Sequence, residues 1–216
     1  MTELLPDLLA ASWETVYMVL VATVFSTIGG IPLGVLLVLT DRHGLRPMPV
    51  LNWILGAVVN IGRSIPFILL MVALIPVTRL VTGTTIGSTA AIVPLTIGAI
   101  PFLARLVETS LREVSAGTVD AAISLGATRW QVVVKVLLAE ALPSLIAGVT
   151  VTVVALVSYS AMAGAIGGGG LGNLGITYGY QRFDTGVAVA TVVLLLVIVQ
   201  VLQFLGDRLA RKLAHR

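Results

Sequence analysis

From Ala141 to Gln181 the chain runs for 41 residues without an Asp, Glu, Lys or Arg. Such a run is hard to hide in a water-soluble fold of 216 residues, and it is not alone. Thr15–Thr40, Leu80–Ala104 and Thr185–Gly206 are also free of charge, and Leu51–Thr78 is interrupted only by Arg63. Charged residues make up 11% of the chain, against roughly 25% in soluble domains. The solvent for most of this surface is therefore a bilayer. A transmembrane barrel is not expected, because its strands need apolar and polar residues in alternation.

The reading is an all-α membrane protein, a single domain over 1–216, with five transmembrane helices. The spans are expected at about 15–40, 53–77, 82–104, 141–166 and 185–206, each long enough for a hydrocarbon core of ~30 Å at 1.5 Å per residue. The run 141–181 is too long for one span, so its Gly-rich end is read as a loop. Orientation follows from the basic residues. With the N-terminus outside, ten of them (Arg42, Arg46, Arg105, Arg112, Arg129, Lys135, Arg208, Arg211, Lys212 and Arg216) share one side and two, Arg79 and Arg182, share the other. That asymmetry makes the first side, and the C-terminus, cytoplasmic. A cleavable signal peptide is not expected, since its n-region is basic and the first basic residue here is Arg42. Gly29, Gly30 and Gly34 would let the first span pack closely on a neighbour.

Several functions are excluded. With no cysteine there is no thiolate metal site or nucleophile. The two histidines, His43 and His215, lie in polar segments beside arginines, so no metal site is expected in the membrane. The basic balance marks cytoplasmic loops rather than a nucleic-acid surface. Gly170–Gly175 matches GxGxxG, but no βαβ unit surrounds it; its glycines would shape a loop over the outer mouth, meet a partner, or simply bend. A P-loop needs Gly-Lys-Ser/Thr, and Lys135 follows Val134 while Lys212 follows Arg211. The chain is thus not expected to be an enzyme.

One polar stretch stands apart, the cytoplasmic segment at about 112–137. Thr118 is placed to cap a short helix with Asp120 in its first turn. Val119, Ala122 and Ile123 share a face, and Gly126 can end the helix in a left-handed conformation. Thr128-Arg129-Trp130-Gln131 reads as a capping box opening a second helix. A helix this short needs a surface to lie on. It could rest on the bilayer, but such helices are rich in Lys/Arg and large apolar anchors. Small residues and one acid suit a groove on a partner protein better.

Asp120-Ala121-Ala122-x-x-x-Gly126, with Leu138 twelve residues later, resembles the EAA signature of ABC-importer permease subunits. The likeness is closest to the methionine-importer permease family, with a type I importer fold. It extends over nearly the whole chain, through Asn60–Phe67, Ala90–Thr96, Lys135–Leu138 and Tyr159–Met162. Two departures are visible: Asp120 stands where the family has Glu, and Leu138-Ala139 where it has Leu-Pro, with Leu142-Pro143 four residues on. The resemblance implies a coupling helix that docks on a cytoplasmic ATPase, carried here by Asp120, Ala121, Ala122, Leu125, Gly126, Ala127 and Arg129. It implies a homodimeric permease in a bacterial inner membrane, two copies of the ATPase, which would hold ATP and Mg, and an extracytoplasmic methionine-binding protein. No cofactor is expected on this chain.

Pathway or gate candidates are Tyr159, Ser160, Met162, Arg63, Ser64 and Phe67. Arg63 is either an intramembrane functional charge or sits near headgroups because the second span begins near Val59. Met162, flexible and polarisable, is either a gate plug or ordinary packing. The alternatives for the whole are a permease for another amino acid, or an ion-coupled secondary transporter. The latter usually carries ~10–12 spans and ionisable midplane groups.

Overall fold

A computed structural model describes residues 5–214; His215 and Arg216 lie outside the described residues. Among the described residues the regular structure is entirely helical. In chain order the helices are α1 (Leu5–Thr40), α2 (Pro49–Ser64), α3 (Phe67–Ala73), α4 (Ile75–Thr82), α5 (Ser88–Arg112), α6 (Ala116–Ser124), α7 (Arg129–Gln131), α8 (Leu138–Glu140), α9 (Leu142–Gly164), α10 (Gly170–Leu174) and α11 (Thr185–Ala214). Two π-helical stretches join them, Val132–Leu137 between α7 and α8 and Gly175–Tyr180 after α10.

Helices α1, α5, α9 and α11 are each long and apolar enough to cross a bilayer. A fifth crossing exists if α2 and α3, bent by 105°, are one broken span. The run 53–77, read from sequence as one span, is divided here among three helices. The cause is local. Pro66 has no N–H to continue α2 and pushes Ile65 into an extended conformation (ψ 124°). Other bounds shift as well. α1 begins ten residues before 15. α5 starts at Ser88 rather than 82, because Gly83 and Gly87 adopt positive φ in the preceding loop. The stretch read as a Gly-rich loop contains α10 and a π-helical turn.

The bundle is built on α1 and α5. A Cβ on Gly34 would stand 2.6 Å from Val107 Cβ and one on Gly30 3.0 Å from Leu103 Cβ, so the small residues of α1 do set its approach to α5. Met18, Leu95 and Leu156 are fully buried where α1, α5 and α9 meet. A second cluster, Leu103, Val107, Leu111, Val132, Leu137 and Leu145, gathers α5, the first π-helical stretch and α9 at one end. α11 lies outermost, with only Val187 and Thr191 buried.

Candidate functional site

Two groups of residues singled out by sequence are positioned by quite different means. The first is α6. It begins at Ala116 after Ser115, so the helix opens three residues earlier than a Thr118 cap would place it, and Asp120 sits in its second turn. No side chain caps its start. Its end is closed by backbone alone: Ala127 N–H donates to Ala122 C=O (3.0 Å) and Gly126 N–H to Ile123 C=O (2.9 Å). This is a Schellman closure, and it needs Gly126 at φ +85°.

The next helix starts with the capping box that the sequence signals. Thr128 N–H donates to Gln131 Oε1 (2.8 Å), and Gln131 N–H to Thr128 Oγ1 (3.4 Å). Val119, Ala122 and Ala127 rest against the cluster around Leu137. Asp120, Ala121, Gly126 and Arg129 are exposed, and Leu125 is 88% exposed. A groove of about 180 Å³ runs beside the helix, between Asp120 and Val119 on one wall and Leu39, His43 and Leu137 on the other. The helix is thus ordered, shallow and presented outward, with no buried residue of its own.

An ionic cluster lies where α5 ends, just ahead of α6 in the chain. Glu108, buried near the end of α5, accepts from Arg105 (2.5 Å) and Arg112 (2.9 Å), and Arg112 reaches Asp41 (2.5 Å) in the loop after α1. Partial burial works against the Asp41 charge. The Arg112 guanidinium and the Arg42 N–H outweigh it and hold that carboxyl below its ordinary value.

The second group surrounds the α2–α3 break. Arg63, Ile65, Phe67, Phe102 and Tyr159 line a cavity of about 200 Å³. The Phe67 and Tyr159 rings stack with centroids 4.6 Å apart and planes 10° from parallel, which ties α3 to α9. Arg63 is exposed in the last turn of α2, and none of the ion pairs among the described residues involves it. The structure therefore brings together three of the six pathway candidates. The other three stand apart. Ser64 is exposed and donates to the Asn60 carbonyl (2.8 Å). Ser160 is 1% exposed and donates to the Val157 carbonyl (2.8 Å). Met162, one turn beyond Tyr159, is 38% exposed and does not line the cavity.

Sequence reasoning missed a contact at the opposite end from α6. Glu14 and Thr15 of α1 accept the first N–H groups of α10, from Gly170 (2.7 Å) and Leu171 (2.9 Å). A carboxylate within an apolar helix was the available signal. Among the described residues no cluster of three His, Asp or Glu is placed to hold a metal ion.

The family of binding-protein-dependent transport system inner membrane components matches residues 30–215. The probable D-methionine transport system permease protein MetI of Vibrio cholerae is 58% identical over 209 residues, 97% of this chain and 93% of that protein. The methionine import system permease protein MetP of Bacillus subtilis is 44% identical over 203 residues, 94% of this chain and 91% of that one. A chain from inward-facing conformations of the MetNI methionine ABC transporter superposes with a TM-score of 0.97 at 46% identity, covering 99% of both chains. A chain of an amino acid ABC transporter determined with histidines shares the fold, with a TM-score of 0.80 at 16% identity over 98% of this chain and 96% of that one.

Proposed function

Since the chain belongs to the family of binding-protein-dependent transport system inner membrane components, we propose that it is the permease subunit of an ATP-driven importer for methionine, D-methionine included. The observation that carries this reading is the match of 99% of the chain to 99% of a chain from a methionine ABC transporter. The identity to methionine permeases over nearly the full length supports the substrate.

In this reading the protein has five crossings, with α2 and α3 forming the broken one. The N-terminus is outside, and α6 is on the cytoplasmic side of an inner membrane. Two copies pair around the pathway, and each binds one copy of a separate ATPase. The segment of α6 and the turn after it, Asp120, Ala121, Ala122, Leu125, Gly126, Ala127 and Arg129, seats in a cleft on that ATPase, led by the exposed Asp120, Ala121, Leu125, Gly126 and Arg129. An extracytoplasmic binding protein delivers the amino acid. The cavity at the break belongs to the pathway, where Arg63 and the Phe67–Tyr159 stack would meet a substrate with an apolar side chain and a zwitterionic head. An intramembrane arginine of this kind is costly unless it faces a polar passage. The likeness to inward-facing chains supports an arrangement closed at its outer end and open inward. Nucleotide binding in the partner would shift the population toward the outward-open arrangement.

The test is uptake of labelled methionine by proteoliposomes holding the assembled complex. Uptake should require ATP and the binding protein, and unlabelled methionine should compete. Uptake driven by an ion gradient without ATP would overturn the reading.

A further inference from the structure

Helix α10 does not hang as a loop between α9 and α11. Three glycines with positive φ, Gly167, Gly169 and Gly170 (+87°, +77° and +70°), fold it back onto the bundle. A Cβ on Gly164 would stand 2.8 Å from Gly172 Cα, so α10 lies directly on the last turn of α9. That is the stretch just beyond Tyr159, whose ring braces Phe67 at the break. The returning segment is fastened at two points. Gly87 N–H, before α5, donates to the Gly167 carbonyl (2.9 Å). Glu14 takes the Gly170 N–H (2.7 Å) and Thr15 Oγ1 takes the Leu171 N–H (2.9 Å). Thr15 is 1% exposed and its hydroxyl also donates to the Ala11 carbonyl.

The Glu14–Gly170 and Thr15–Leu171 contacts each span 156 residues of sequence, so they join separate elements rather than trim one helix. The carboxylate lies at the positive end of the α10 segment, which favours it further. A side chain at either glycine would have to displace the contact: a Cβ on Gly169 would fall 2.7 Å from Glu14 Oε2, and one on Gly170 2.6 Å from Thr15 Oγ1.

We propose that Glu14 and Thr15 form a latch that holds the outer end of the pathway closed, by fixing α10 against α9. They are positioning residues: neither lines the cavity at the break. The proposal rests on the permease reading and on the outer-closed arrangement. In an importer whose resting form is closed outside, opening the outer end is part of reaching the ATP-hydrolysing arrangement. The latch therefore restrains hydrolysis until the binding protein engages.

The experiment uses the full complex in nanodiscs, with ATPase rates measured with and without methionine-loaded binding protein. Losing one charged hydrogen bond is worth on the order of tenfold in an equilibrium. Glu14→Ala should therefore raise the rate without binding protein by about that factor, lowering the stimulation ratio. Thr15→Val, of similar shape but lacking the acceptor, should move the rate in the same direction by less. Glu14→Gln keeps an acceptor oxygen and should raise the rate less than Glu14→Ala does. If Glu14→Ala does not assemble, the latter two variants decide. Basal rates equal to wild type in Glu14→Ala and Thr15→Val, or in Thr15→Val and Glu14→Gln where Glu14→Ala is lost, with only a lower melting temperature, would reduce the contact to a brace and overturn the latch. A wild-type complex that binding protein does not stimulate would instead overturn the permease reading, and the latch with it.

Discussion

The α6 helix at one end of the molecule and the α10 segment at the other are both short helical pieces joining long helices, yet they are built in opposite ways. α6 is closed by its own backbone, and nothing in it is buried. α10 is almost wholly buried and is held by side chains from α1. Short helices are unstable alone, so each needs something outside itself. α10 finds it within the chain. α6 has only a half-buried seat on the cluster around Leu137, and its open face is available to another protein. The difference separates a segment that belongs to the bundle from one that waits for a partner.

Substitutions at the two ends should have different consequences. The largest effect is expected on the open face. Ala121→Trp should leave insertion and melting unchanged yet cut ATP-driven uptake more than about tenfold, as a bulky group in the middle of a tight interface does. Normal uptake would remove α6 as the docking element. Next is one substitution made at both ends. Gly170→Ala combines a positive φ with a clash against Thr15 and should cost roughly 2–4 kcal/mol in thermal or denaturant unfolding. Gly126→Ala has the positive φ but open space around it, and should cost about 1 kcal/mol. Equal losses would mean the two ends are not differently built.

A smaller effect is expected between the two ends. Tyr159→Leu removes the ring stack with Phe67, about 1 kcal/mol beyond area burial, and should slow uptake at the break. Met162→Ala should change uptake less, because Met162 stands away from the cavity; wild-type rates would remove it as a gate. The smallest effect concerns the ion pair between the end of α5 and the loop after α1. The Asp41 carboxyl titrates below its ordinary value. Its ion pair with Arg112 is therefore complete above that ordinary value, and is lost as the pH falls through the lower one. Asp41→Asn should cost about 1 kcal/mol or less at neutral pH for a pair open to solvent on the Arg112 side. The melting curves of variant and wild type should converge in acid.

How much of this was legible in the sequence depends on the range of the interaction. The helical class and the long runs of α1, α9 and α11 follow from missing charges. The Thr128–Gln131 box and the left-handed Gly126 follow from chemistry within four residues. The α6 start was misplaced at Thr118 because no side chain caps it, so there was no local signal to read. Pro66 lies inside the run read as one span, and the size of the 105° bend there depends on how α3 packs against α5 and α9. Ser160 looks polar in sequence but spends its hydroxyl on the Val157 carbonyl. Glu14 stands out as a carboxylate in an apolar helix, but its partner Gly170 lies 156 residues away, beyond the reach of any local pattern.

The chain has no cysteine, which makes a single engineered thiol a clean reporter of the central claim, that α6 is a cytoplasmic docking surface for a separate ATPase. A Leu125→Cys variant should react with a membrane-impermeant maleimide in inverted vesicles stripped of peripheral proteins. It should be shielded when the ATPase is added back, and should not react in intact cells. Labelling of Leu125→Cys from outside intact cells, or labelling in vesicles that the ATPase leaves unchanged, would contradict it.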